Sequence, residues 1–162
     1  HWSAPAAGWV KCNTDASFLP DNDYCWTGAV SRNHEGRVLI SSHGTLAQAR
    51  TAEEAEGRAA LGGLQSLAKV YRGAVVWETY CKSLASLLSA DTAVRSPLFG
   101  LVLDIRAALA MFADHKVTHT PRECNKLAHE LAAVARLRGD QEITANVPEC
   151  LQSLVVSECT IA

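Results

Sequence analysis

The alternation of apolar and polar positions changes period along the chain. Residues 8–17 (GWVKCNTDAS) alternate as a strand ending near Asp15. Residues 24–31 (YCWTGAVS) and 37–43 (RVLISSH) are two further β-rich runs. The connection Arg32-Asn33-His34-Glu35-Gly36 between them closes on glycine, as hairpin turns do. The opening third therefore predicts a three-stranded antiparallel meander. From Ala52 to Ala68 the spacing lengthens to that of a helix, with Ala52, Ala55, Ala59, Leu64 and Leu67 on one stripe and Ala60 and Ala68 beside it. Gly62-Gly63 costs this helix roughly 1 kcal/mol per glycine relative to alanine. The pair implies either a close packing contact or a break near the helix end.

A short β-rich run, Ala74-Val75-Val76-Trp77-Glu78, comes next. A helix over about 81–90 follows, with Leu84, Leu87 and Leu88 on one face. Pro97 opens another helix, a position where proline is tolerated. Its stripe is Leu98, Leu101, Val102, Ile105, Leu109 and Phe112. Lys116-Val117-Thr118-His119 reads as a last strand. A helix over about 124–138 turns Leu127, Leu131, Val134 and Leu137 inward, and a short helix falls near 148–155. The order β-β-β-α-β-α-α-β-α predicts an α/β fold with a mixed five-stranded sheet, the meander plus two further strands, and helices on both faces.

With 162 residues and no repeat, linker or low-complexity tract, the chain reads as one domain, residues 1–162, with a core over about 8–138 and a tail from 139 to 162. A composition 48% hydrophobic and 20% charged excludes an intrinsically disordered segment. Fifteen basic against seventeen acidic residues give a net charge of −2, so no strong field draws the chain to nucleic acid or an anionic membrane. Apolar runs fall far short of the ~20 residues of a membrane span. His1-Trp2-Ser3-Ala4-Pro5 has no basic stretch leading into an apolar one. The six cysteines are scattered without a C-x-x-C pair. Reduced thiols, neither bridged nor metal-bound, in an intracellular protein of nucleus or cytoplasm are the expectation.

Two carboxylates stand out on this topology. Asp15 lies on the first strand among small and polar residues, and Glu56 lies on or near the apolar stripe of the first helix. A carboxylate in a central strand facing one on a packing helix is costly unless something pairs with it, and metal ions are a common answer. The plainer alternative is a strand-end Asp15 and a solvated Glu56.

The stretch Trp2 to Phe18 (WSAPAAGWVKCNTDASF) and the block Ala52-Glu53-Glu54-Ala55-Glu56 continuing to Gly63-Leu64 are followed by His119-Thr120-Pro121-Arg122-Glu123-Cys124-Asn125 with Ala128-His129-Glu130-Leu131-Ala132. Together these resemble the plant, retroelement-type ribonuclease H domain. Val147-Pro148-Glu149-Cys150 through Leu154-Val155 resembles the ends of such domains, so the likeness spans nearly the whole chain. It implies an RNase H-like fold. It also implies cleavage of the RNA strand of an RNA–DNA hybrid by two Mg²⁺ or Mn²⁺ ions about 4 Å apart, held by four carboxylates.

Asp15 takes the place of the first acid and Glu56 that of the second. The other two places depart from the pattern. Tyr80, in Glu78-Thr79-Tyr80, stands where the third acid belongs, and His129, four residues after Asn125, where the fourth does. Two carboxylates facing two dications leave about +2 uncompensated. A phenol, titrating near ~10, stays neutral. Glu78 shares Tyr80's strand face but lies about 6.6 Å back, too far to substitute. His129 is either a ligand for a softer ion or a polar residue at the helix edge. The resemblance gives His119 a part in product release or proton transfer, against a plain strand-end residue, and sets Arg122 and Asn125 against nucleic acid. The basic protrusion that some RNase H enzymes use is not evident in the sequence, since residues 91–100 contribute only Arg95.

Three readings stay open. One is a catalytically weak or inactive nucleic-acid-binding domain. A second is a protein–protein interaction module on a retired retroelement fold. The third is a weak ribonuclease H using one metal on Asp15 and Glu56.

Overall fold

The computed structural model describes residues 1–90 and 95–159. The meander forms as β1 (Trp9–Leu19), β2 (Tyr24–Arg32) and β3 (Val38–Ala47), paired antiparallel. Helix α1 (Ala52–Ala68) returns the chain to β4 (Ala74–Thr79), which lies parallel to β1. Helices α2 (Lys82–Ser89) and α3 (Phe99–Leu109) lead to β5 (Asp114–His119), parallel to β4. After a 3₁₀ turn at Arg122–Cys124 come α4 (Lys126–Arg138), β6 (Glu142–Thr144) and α5 (Gln152–Cys159). The sheet order is β5-β4-β1-β2-β3-β6.

The expected mixed sheet has a sixth strand. Residues Glu142–Thr144 pair antiparallel with Ser41–His43. Three further expectations need correction. Pro97 sits in the turn before α3, which begins at Phe99. Leu137 is 86% exposed, because at 100° per residue it turns away from the buried stripe of Leu127, Ala128, Leu131 and Ala135. Arg32 belongs to β2, paired with Lys11, and not to the turn. Residues 91–94, part of the segment read as lacking a basic protrusion, lie outside the described residues.

Alternation on β1 sorts its side chains between two faces. Val10 and Cys12 join Ala60, Leu64, Leu67, Val75, Trp77, Leu84, Ile105 and Leu109 in the larger core, under α1, α2 and α3. Val30 packs on the other face with Leu127, Leu131, Val134, Val147 and Leu151, under α4 and the tail. Helix α1 is unbroken through its two glycines. Gly63 is the close contact, since a Cβ there would lie 2.7 Å from Ala29 Cβ and 2.9 Å from Thr14 Cγ2, whereas Gly62 faces open space. Thr51 caps α1 by accepting the Glu54 N–H, which fixes where Glu56 falls one turn later.

The second face also holds charge. Lys11 Nζ lies 2.8 Å from Glu78 Oε1, and Asn13 Nδ2 donates to Glu78 Oε2 at 2.9 Å. Trp2 Nε1 donates to Asn13 Oδ1, and the Trp2 ring lies 3.8 Å from the guanidinium carbon of Arg32. Arg32, almost wholly buried, is paired with Glu158 of α5 at 2.6 Å. Such a network is stable only because nearly every buried charge has a partner.

Candidate functional site

Asp15 sits on β1, flanked in the sheet by β4 and β2, and is 1% exposed. Across the ladder it faces Gly28 of β2. A Cβ at Gly28 would lie 2.3 Å from the Ala128 carbonyl oxygen and 2.5 Å from Ala132 N. The missing side chain thus lets α4 settle directly on the sheet. That seat brings His129 Nδ1 to 2.7 Å from Asp15 Oδ2.

Glu56 reaches the same place from α1 and is 4% exposed. Its Oε1 accepts from the Ala16 N–H at 3.3 Å and from the Tyr80 hydroxyl at 2.8 Å. Tyr80 is the first residue past β4, so the strand end aims its phenol into the site. Asp15 Oδ1 and Glu56 Oε2 are both buried without a hydrogen-bond partner.

Burial, reinforced by the charge of Asp15, pushes the Glu56 carboxyl up from 4.5 to about 8. Burial also raises Asp15, opposed by its bond to His129 and by the charges of His129 and Arg122. The Tyr80 phenol is raised by burial and then by the Glu56 charge, so at neutral pH it is a donor without charge.

His119 is exposed, with Nε2 3.1 Å from the Tyr80 carbonyl oxygen, which can only accept; that nitrogen therefore carries the proton. The Arg122 guanidinium lies 6.0 Å from the Tyr80 ring centre and is open to solvent. Asn125 is held within the fold. It is buried, and its Nδ2 donates to Thr14 O, fastening the start of α4 to β1 and not presenting an amide to a ligand. Glu56 is buried and not solvated, and His129, half-exposed on α4, is bonded to Asp15.

The donor set does not fit a pair of dications. Two of the four carboxylate oxygens are taken by His129 and by Tyr80 with Ala16, and Glu78 is committed to Lys11 and Asn13. Among the described residues no group of three or more His, Cys, Asp or Glu side chains is arranged to hold a metal ion. All six cysteines are free thiols. Sequence reasoning missed Gly28 and the Trp2–Arg32–Glu158 contacts. For the former, a lone Gly facing an acid across a hairpin was the available signal.

A mixed sheet with an acid on its inner strand β1, a second acid from the helix after the meander, and a late helix closing over the first defines an RNase H-like domain. The chain belongs to the reverse transcriptase-like family, whose model matches residues 13–135. Among solved structures it is similar to the N-terminal RNase H domain of a Mycobacterium tuberculosis protein, with a TM-score of 0.73 and 23% identity over 82% of this chain and 96% of that one. It is similar also to RNase H1 from Halobacterium salinarum, with a TM-score of 0.74 and 22% identity over 82% and 100%. A third, LC11-RNase H1 in complex with an RNA/DNA hybrid, gives 0.71 and 20% over 80% and 98%. At these identities the likeness is one of fold. Comparison with curated protein sequences finds no match.

Proposed function

We propose that this is a nucleic-acid-binding domain of the RNase H-like class, of plant retroelement type, whose acidic site has degenerated so that cleavage of RNA in an RNA–DNA hybrid is very weak or lost. The observation that carries the reading is the Tyr80 hydroxyl on Glu56 Oε1, at the place of the third acid. A neutral phenol supplies no negative charge there, and its ring takes space that a hydrated dication needs. In this reading Asp15 and Glu56 are the remnant of the metal-binding set, with His129 and Tyr80 now their hydrogen-bond partners. The two unpartnered oxygens suffice for no more than weak retention of one Mg²⁺ or Mn²⁺. His119 and Arg122, both exposed beside Tyr80, are the side chains placed to meet a phosphodiester backbone. The hybrid bound to a relative of the same fold supports nucleic acid as the ligand class.

The test is hybrid cleavage with Mg²⁺ and with Mn²⁺, comparing wild type, Tyr80→Asp and Tyr80→Asp/His129→Asp. The wild type is expected to be near background and the double variant to gain cleavage. Brisk metal-dependent cleavage by the wild type, lost in Asp15→Asn, refutes the degenerate reading.

A further inference from the structure

Tyr24 and Trp26 form a pair that the core does not use. Their rings lie 6.4 Å apart between centroids and within 22° of parallel. The Arg136 guanidinium, from the last turn of α4, is 5.4 Å from the Trp26 ring. Neither ring belongs to any of the three apolar clusters. Tyr24 is 46% exposed and Trp26 half-buried.

The strand register places the pair beside the acidic site. Gly28 faces Asp15, and Trp26, two residues back on β2, faces Ser17. Alternate strand residues share a face, so both rings lie on the face that carries Asp15 and α4, with Trp26 about 7 Å along β2 from Gly28. Helix α4 joins the two places, with His129 on Asp15 and Arg136 on Trp26.

We propose that Tyr24, Trp26 and Arg136 form a stacking surface for unpaired bases of a single strand of nucleic acid lying against the acidic cleft. The proposal rests on the nucleic-acid reading above and names the form of ligand. Near-parallel aromatic rings one strand repeat apart, with a guanidinium beside them, are the composition by which single strands are held without sequence preference. The charge pattern points the same way. The chain carries −2 overall, and the hairpin tip next to Tyr24 adds Asp21 and Asp23. Neutralisation of a duplex backbone is therefore not the source of affinity here, whereas base stacking needs few cations.

The experiment is fluorescence anisotropy of the full chain with a labelled oligothymidine of about a dozen nucleotides, a blunt RNA–DNA hybrid of similar length, and the same hybrid with a single-stranded extension. Wild type is compared with Tyr24→Ser, Trp26→Leu and the aromatic-preserving Tyr24→Phe, each checked for a native melt. Tyr24, being exposed, keeps the test usable if the Trp26 variant unfolds. Expected are tighter binding of the strand and the extended hybrid than of the blunt hybrid, a loss of about fivefold or more in Tyr24→Ser, and near-wild-type binding by Tyr24→Phe. Blunt-hybrid binding as tight as the strand's, or equal strand binding by wild type and Tyr24→Ser, overturns the stacking surface and leaves the nucleic-acid reading standing. No binding of any of the three probes overturns both.

Discussion

Replacing Glu56 by Gln should make the protein more stable at alkaline pH while leaving it nearly unchanged in mild acid. Glu56 is 4% exposed, its Oε2 has no partner, and its carboxyl is raised from 4.5 to about 8, chiefly by burial and next by Asp15. A folded-state value above the unfolded one means the native state holds the proton more tightly. That contribution is complete below 4.5 and is lost as pH rises through about 8. Each pH unit of the interval is worth about 1.4 kcal/mol, so the ceiling on the loss is about 5 kcal/mol. That is of the order of a small domain's whole stability. Glutamine keeps the shape, accepts from Tyr80 as before and has no proton to lose. Urea unfolding of both proteins at pH of about 5, 6.5 and 8.5, with EDTA present, gives the difference directly, since other titrating groups cancel. The difference should grow in favour of Glu56→Gln across that range, and Asp15→Asn in the wild-type background should flatten the trend. A constant difference across the range would show that Glu56 is ionised throughout and that the burial reasoning is wrong.

Gly28→Ala should cost roughly 1–3 kcal/mol or more, read as a lower melting temperature, because backbone atoms of α4 occupy the place of the new methyl group. Glu158→Ala should cost about 3–5 kcal/mol by leaving the Arg32 guanidinium buried without its counter-charge, whereas Glu35→Ala, at an exposed turn, serves as a control within about 0.5 kcal/mol. Binding of a blunt RNA–DNA hybrid should be no tighter than about 10⁻⁴–10⁻⁶ M at physiological salt and should show a shallow salt slope; nanomolar anisotropy titrations with a steep slope would contradict the dispersed placement of the cations.

The elements legible in the sequence were those whose own residues carry a periodic signal. The meander, α1, and the placement of Asp15 opposite Glu56 follow from alternation, from helical spacing and from motif order. Strand β6 carries no such signal. Its three residues are exposed or half-buried, and they form a strand because the tail lies along β3. Leu137 is apolar and close to the stripe of α4 in sequence, but the helix turns it to the solvent side while Val134 and Ala135 are buried. Within the site the identities of Tyr80 and His129 were visible, but their bonds to Glu56 and Asp15 were not. The bond of His129 to Asp15 depends on how closely α4 approaches the sheet at Gly28, and that of Tyr80 to Glu56 on how α1 packs beside the end of β4. Arg32 read as a turn residue for a similar reason, as its counter-ion lies 126 positions away.

That last separation has a consequence for the order in which the chain reaches its final state. Arg32 lies in the meander, a local structure that can assemble once its own three strands have been made. Its ring partner, Trp2, is present by then, but its carboxylate partner, Glu158, comes off the ribosome more than a hundred residues later. At synthesis rates of about 5–20 residues per second, the guanidinium waits several seconds or longer. During that time it must stay hydrated, and the edge of the second core around Val30, Leu154 and Val155 stays open with it. Completion of this face therefore waits for α5, and any contact that captures the open face beforehand competes directly with docking of α5.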